Sequence, residues 1–134
     1  MASQRVRCRS LLCWGRCGGG GVTSSVRRFI VDSGSTITLL PWSMARVLGL
    51  EATLATAPTF PIAGVGGAQV AARRAVVDIE LAGQMQIRET PVYFAPGTTH
   101  IATYDGLLGQ HGFFDRVRFI QRHDHAAPYF YLDG

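Results

Sequence analysis

An all-β fold, a partly open barrel of short strands with one or two short helices, is predicted by three features of this sequence. Runs rich in branched and aromatic residues alternate with a period of two, as in Val77, Ile79 and Leu81 against Asp78 and Glu80. Turn signals such as Ala82-Gly83-Gln84 and Pro96-Gly97 separate these runs at short intervals. Only the segment beginning at Pro41 changes to a helical period. The 134 residues, 47% hydrophobic and 16% charged, suit one compact domain whose core needs no disulfides.

The first 25 residues are expected to form a basic, Cys- and Gly-rich arm without fixed structure, ahead of a domain over residues 26–134. Gly18-Gly19-Gly20-Gly21 marks the division, because four glycines hold regular structure only at high entropic cost. Residues 26–31 read as a strand running into Asp32, and residues 36–40 as a second, alternating strand. Pro41 suits a helix start, Met44, Val47 and Leu48 form a stripe, and Gly49 can end the helix. Residues 53–61 read as a loop, and Ile62-Ala63-Gly64-Val65-Gly66-Gly67 as a mobile hairpin tip. A long strand ending near Leu81 and a return strand over residues 85–94 follow. Leu107-Leu108-Gly109 is a short apolar strand that stops at glycine, and residues 111–115 suggest one helical turn. Residues 117–122 and 129–132 close the chain as a hairpin.

The charge of +4 is uneven. Residues 1–28 hold six arginines and no carboxylate, while residues 29–134 set seven arginines against nine carboxylates. A nucleic-acid surface over the folded body is therefore not expected. Cys8, Cys13 and Cys17 all fall in the arm, at a spacing that matches no common zinc pattern, so neither a metal nor a cofactor is expected. Leu11-Leu12-Cys13-Trp14 is too short to span a bilayer, and a soluble protein, cytoplasmic by default, is the expectation.

The chemistry centres on Asp32-Ser33-Gly34-Ser35. Such a triplet often makes only a turn. Here it interrupts two apolar strands, Phe29-Ile30-Val31 and Ile37-Thr38-Leu39-Leu40, which places a carboxylate where partial desolvation is costly unless it is hydrogen-bonded or used. Three motifs then stand in order: Phe29-Ile30-Val31-Asp32-Ser33-Gly34-Ser35-Thr36 followed by Leu40-Pro41, the glycine-rich segment 62–67, and Leu107-Leu108-Gly109 followed by Phe113-Phe114. Over residues 26–122 the chain resembles the retropepsin-like aspartic proteases on these motifs.

The resemblance implies a retropepsin-like barrel and a catalytic role for Asp32. It implies loop support from Ser33, Gly34 and Ser35, with Ser35 placed to donate to Asp32, and a substrate-covering flap at Gly64, Val65, Gly66 and Gly67. One such triplet supplies one carboxylate, so a homodimer would complete a two-aspartate site acting on a peptide or protein substrate. The chain departs from many viral members at Thr36 and Gln110, where those hold an ion pair, and residues 1–25 show no obvious strand ahead of the catalytic one. The alternative is a catalytically silent domain of this fold, serving dimerisation or peptide binding. Other chemistries are weaker. A serine nucleophile at Ser33 or Ser35 lacks the G-x-S-x-G elbow, His111, His123 and His125 lack zinc-ligand spacing, and the glycine-rich segment lacks a phosphate loop's G-K-[ST] ending.

Overall fold

The computed structural model describes residues 5–9, 12–19, 21–32, 34–63, 69–96, 105–122 and 129–133. In chain order these form β1 (Arg5–Arg9), β2 (Leu12–Gly19), β3 (Val22–Thr23), β4 (Arg27–Val31), β5 (Leu39–Pro41), α1 (Trp42–Val47) and α2 (Glu51–Ala55). There follow β6 (Thr59–Ala63), β7 (Gln69–Leu81), β8 (Met85–Ala95), β9 (Leu107–Leu108), β10 (Arg118–Arg122) and β11 (Tyr129–Asp133). The main sheet runs β3-β2-β4-β9-β5-β8-β7-β6, and a further pairing of β2 with β7 closes β2, β4, β9, β5, β8 and β7 into a ring. The all-β barrel with two short helices matches the fold expected from sequence.

Closure depends on a strand that the sequence does not announce. β2 pairs antiparallel with β4 from Leu12↔Ile30 to Gly15↔Arg27, then with β7 from Gly15↔Leu81 to Gly18↔Asp78. Gly15 belongs to both ladders, and a Cβ there would lie 2.4 Å from the Glu80 carbonyl oxygen. Residues 12–19 and 22–23 are thus part of the sheet, which corrects the expectation of an unstructured arm over residues 1–25. The two-residue period is present in β2, with Trp14 and Arg16 exposed and Gly15 and Cys17 buried. Glycine and cysteine carry the inward positions, so the segment lacks the branched residues that mark a strand. β1 is also a strand, in a separate sheet of order β1-β11-β10.

The long hairpin follows its pattern. Val77, Ile79 and Leu81 are buried on β7, and the turn after Leu81 places Ala82 and Gly83 at positive φ, 53° and 66°. A bulge opens between Val77 and Ile79, where Glu89 takes φ 52° and donates its N–H to Asp78 Oδ1 at 2.8 Å.

α1 ends in a Schellman motif: Gly49 at φ 68° donates to the Arg46 carbonyl and Leu50 to that of Ala45. Its buried face is Met44, Ala45 and Leu48, so Met44 and Leu48 of the expected stripe are buried while Val47 is 41% exposed. α2 overlaps the start of the loop expected over residues 53–61, and β6 its end. Five residues buried only at Leu54 leave little periodicity to read, and the Arg73 guanidinium on β7 caps it by donating to the carbonyls of Leu54, Ala55 and Ala57. Residues 111–115 form turns rather than a helix, burying Phe113 edge-on to Phe114. The core beneath the aspartate loop is Phe29, Leu40, Phe94, Leu108 and Phe113, all fully buried. Among the described residues no helix is long and apolar enough to cross a membrane.

Candidate active site

β4 buries Phe29 and Val31 and ends there, so Asp32 leaves the barrel at the strand's C-terminal end. β9 runs parallel to β4 (Ile30↔Leu107, Val31↔Leu108) and antiparallel to β5 at Leu39↔Leu107. It is therefore inserted between the strand entering the aspartate loop and the strand leaving it. The Asp32 N–H donates to the Leu108 carbonyl at 2.9 Å, carrying the ladder one bond beyond β4.

The loop is held from within and from behind. Asp32 is half-buried, and its Oδ1 accepts the Gly34 N–H at 2.9 Å while the Ser35 N–H donates to the Asp32 carbonyl at 3.2 Å. The turn-forming chemistry of Asp and Gly and the placing of a carboxylate are thus one arrangement. The Ser35 hydroxyl donates to the Ile37 carbonyl at 2.9 Å, and its own carbonyl accepts the Gln110 N–H at 2.8 Å. The Ser35 hydroxyl braces the loop backbone and is not given to the Asp32 carboxylate, unlike the expectation. The His111 N–H reaches the Thr36 carbonyl at 3.0 Å, so Thr36 and Gln110 stand in segments joined through backbone instead of a side-chain ion pair. Gly109 packs so closely that a Cβ would lie 2.0 Å from the Ile37 carbonyl oxygen, the physical reason this apolar strand ends in glycine. Ser33 lies outside the described residues.

Ile37 and Leu39 point away from the core, while Thr38 and Leu40 are fully buried. The Thr38 hydroxyl is satisfied twice, accepting the Gly109 N–H at 3.2 Å and donating to the His111 carbonyl at 3.0 Å. Above the loop opens a cleft of about 590 Å³, lined by Asp32, Gly34, Ser35, Thr36, Ile37, Leu39, Leu107, Tyr93 and residues 60–63 of β6. Among the described residues Asp32 is the one carboxylate on that lining, which is otherwise largely apolar. Phe60 and Tyr93 meet edge-on with centroids 5.6 Å apart, forming an aromatic wall that the sequence did not single out. The expected flap residues Gly64, Val65, Gly66 and Gly67 lie outside the described residues, but the strands leading to them pair up to Ala63↔Gln69 at the edge of the cleft.

Other candidates are drawn elsewhere. The His111 ring faces Asp115 at 3.7 Å, and the Ser35 hydroxyl is given to the Ile37 carbonyl and not to that ring. His100, His123 and His125 lie outside the described residues. Cys17 is buried away from the cleft, and burial pushes its thiol up to about 12, with Arg27 pulling slightly the other way.

The β-barrel thus presents a braced aspartate on the floor of a largely apolar cleft. Residues 18–111 match the Aspartyl protease family, and the chain belongs to it. Its fold is retropepsin-like: it is similar to the crystal structure of a retropepsin-like aspartic protease from Rickettsia conorii. The TM-score is 0.62 at 15% sequence identity, over 98% of this chain and 92% of that one. No curated protein matches the chain.

Proposed function

We propose that the chain is an aspartic endopeptidase whose catalytic centre forms when two copies bring their Asp32 carboxylates together. The observation that carries this reading is Asp32 itself, fixed by the Gly34 N–H and the one carboxylate among the described residues that line an apolar cleft. One carboxylate per chain cannot supply both the base and the acid, whereas an isologous pair can. Two carboxylates held close share one proton and titrate as a couple. The ionised member takes a proton from water, and the protonated one polarises the scissile carbonyl. The proton then passes to the leaving amine, with no acyl-enzyme. In this reading the apolar cleft binds an extended peptide, and residues 64–67 cover it and exclude water. β2 supports the reading, since it supplies the strand ahead of β4 that a complete barrel of this kind needs.

The test is cleavage of a mixed peptide library across pH beside the mass of the protein in solution. Cleavage confined to the acidic range and reduced by on the order of a hundredfold or more in Asp32→Asn is the expected result. Cleavage unaffected by that substitution, or a monomer that stays active at every concentration, overturns it. Peptide retention without cleavage would instead identify a silent binding domain.

A further inference from the structure

We infer that Thr38 is a positioning residue for Asp32, acting through the peptide unit that joins Leu108 to Gly109. That single peptide plane is engaged at both ends. Its carbonyl oxygen accepts the Asp32 N–H at 2.9 Å, and its N–H donates to the Thr38 hydroxyl at 3.2 Å. The hydroxyl hydrogen is in turn committed to the His111 carbonyl at 3.0 Å, so the oxygen lone pairs face Gly109. Donor and acceptor thus run in sequence from the Asp32 backbone, through the Leu108–Gly109 peptide, to Thr38 and on to His111. Hydrogen bonds in such a chain polarise one another, and burial raises the effect. Thr38 is fully buried, which keeps water from replacing its hydroxyl.

The position is also mechanically stiff. Gly109 already sits where even a Cβ would meet the Ile37 carbonyl, so the peptide cannot tilt toward the loop to find another acceptor. The Thr38 carbonyl accepts the Tyr93 N–H at 3.0 Å, tying the same residue to the aromatic wall of the cleft. Removing the hydroxyl strands a buried N–H and frees the peptide that sets the height of Asp32 in the cleft. A shift of this kind degrades the attack geometry far more than substrate binding.

Thr38→Val preserves the shape and removes the hydroxyl, and Thr38→Ser does the reverse. Amide hydrogen exchange in the intact protein reads the positioning directly. Thr38→Val should speed exchange at Gly109 and Asp32 by about tenfold or more, leaving Ile79 unchanged, while Thr38→Ser stays close to the parent. The kinetic arm rests on the peptidase reading above: kcat should fall by about tenfold or more with KM little changed in Thr38→Val, and recover in Thr38→Ser. A Val77→Ala control, destabilised in the β7/β8 hairpin, should keep its kcat. Parent-like exchange in Thr38→Val, equal losses in the Ser and Val variants, or an equal loss of kcat in the control would overturn the inference. If Thr38→Val does not fold, Thr38→Cys, with its poorer acceptor, takes its place and must rank below Ser. A parent protein that cleaves nothing refutes the peptidase reading alone, and the exchange pattern still decides the role of Thr38.

Discussion

Asp32 was legible in the sequence because its placing is local: a strand ends, a turn former follows, and Gly34 sits two residues away to bind the carboxylate. Thr38 was not legible, because its partners Gly109 and His111 lie 71 and 73 residues along the chain. Nothing in a two-residue period tells a threonine that faces solvent from one that anchors a distant glycine. Gly109 gives the sharpest steric prediction. A Cβ 2.0 Å from the Ile37 carbonyl forces the loop apart, so Gly109→Ala should cost about 1–3 kcal/mol or more in denaturant unfolding and lower activity beyond that loss. A variant as stable as the parent would contradict the close approach. Cys17 yields a pH prediction. Burial raises its thiol from 9.0 to about 12, so the unfolded chain loses that proton first as the solution becomes alkaline. Stability should therefore be intact below pH 9 and fall between about 9 and 12, by on the order of 1 kcal/mol per pH unit. Cys17→Ala lowers stability at neutral pH through the cavity it leaves, yet should flatten the alkaline slope measured by urea unfolding. An unchanged slope would assign the alkaline loss to another group.

At the level of elements, strands with branched inward residues were readable and elements held by distant partners were not. β7 and β8 alternate over enough residues for tertiary context to leave the pattern intact. α2 has five residues and one buried leucine, and its stability comes in part from an arginine on β7. Arg73→Gln should accordingly cost about 1–2 kcal/mol, because three carbonyls at the end of α2 lose a charged donor. Arg73→Lys, which keeps the charge, should recover part of that loss in thermal denaturation. The bulge opposite Asp78 makes the opposite kind of prediction. Glu89 occupies the left-handed region at φ 52°, where a Cβ is strained, so Glu89→Gly should raise stability in urea unfolding by up to about 1 kcal/mol. A clear loss would show that the glutamate side chain itself stabilises the bulge.

Across the whole molecule, inclusion of β2 in the ring changes what the N-terminal arginines are. Arg16, Arg27 and Arg28 lie on the barrel or against it, so the positive charge gathered in residues 1–28 belongs in part to the folded surface. Closure also gives the aspartate loop a complete floor, because β4 is paired on both sides, by β2 and by β9. What one barrel lacks is a second carboxylate facing Asp32, since the described lining of the cleft offers no other. Activity should then belong to pairs of chains, and a chain without its carboxylate should poison an intact one. When the parent is refolded with a ninefold excess of Asp32→Asn, about one active chain in ten meets another, and cleavage per active chain should fall roughly tenfold. A Gly109→Ala chain, which keeps its own Asp32 carboxylate, should poison far less at the same excess. If cleavage per active chain is unchanged by the Asp32→Asn excess, each barrel works alone and the second acid must come from within the same chain.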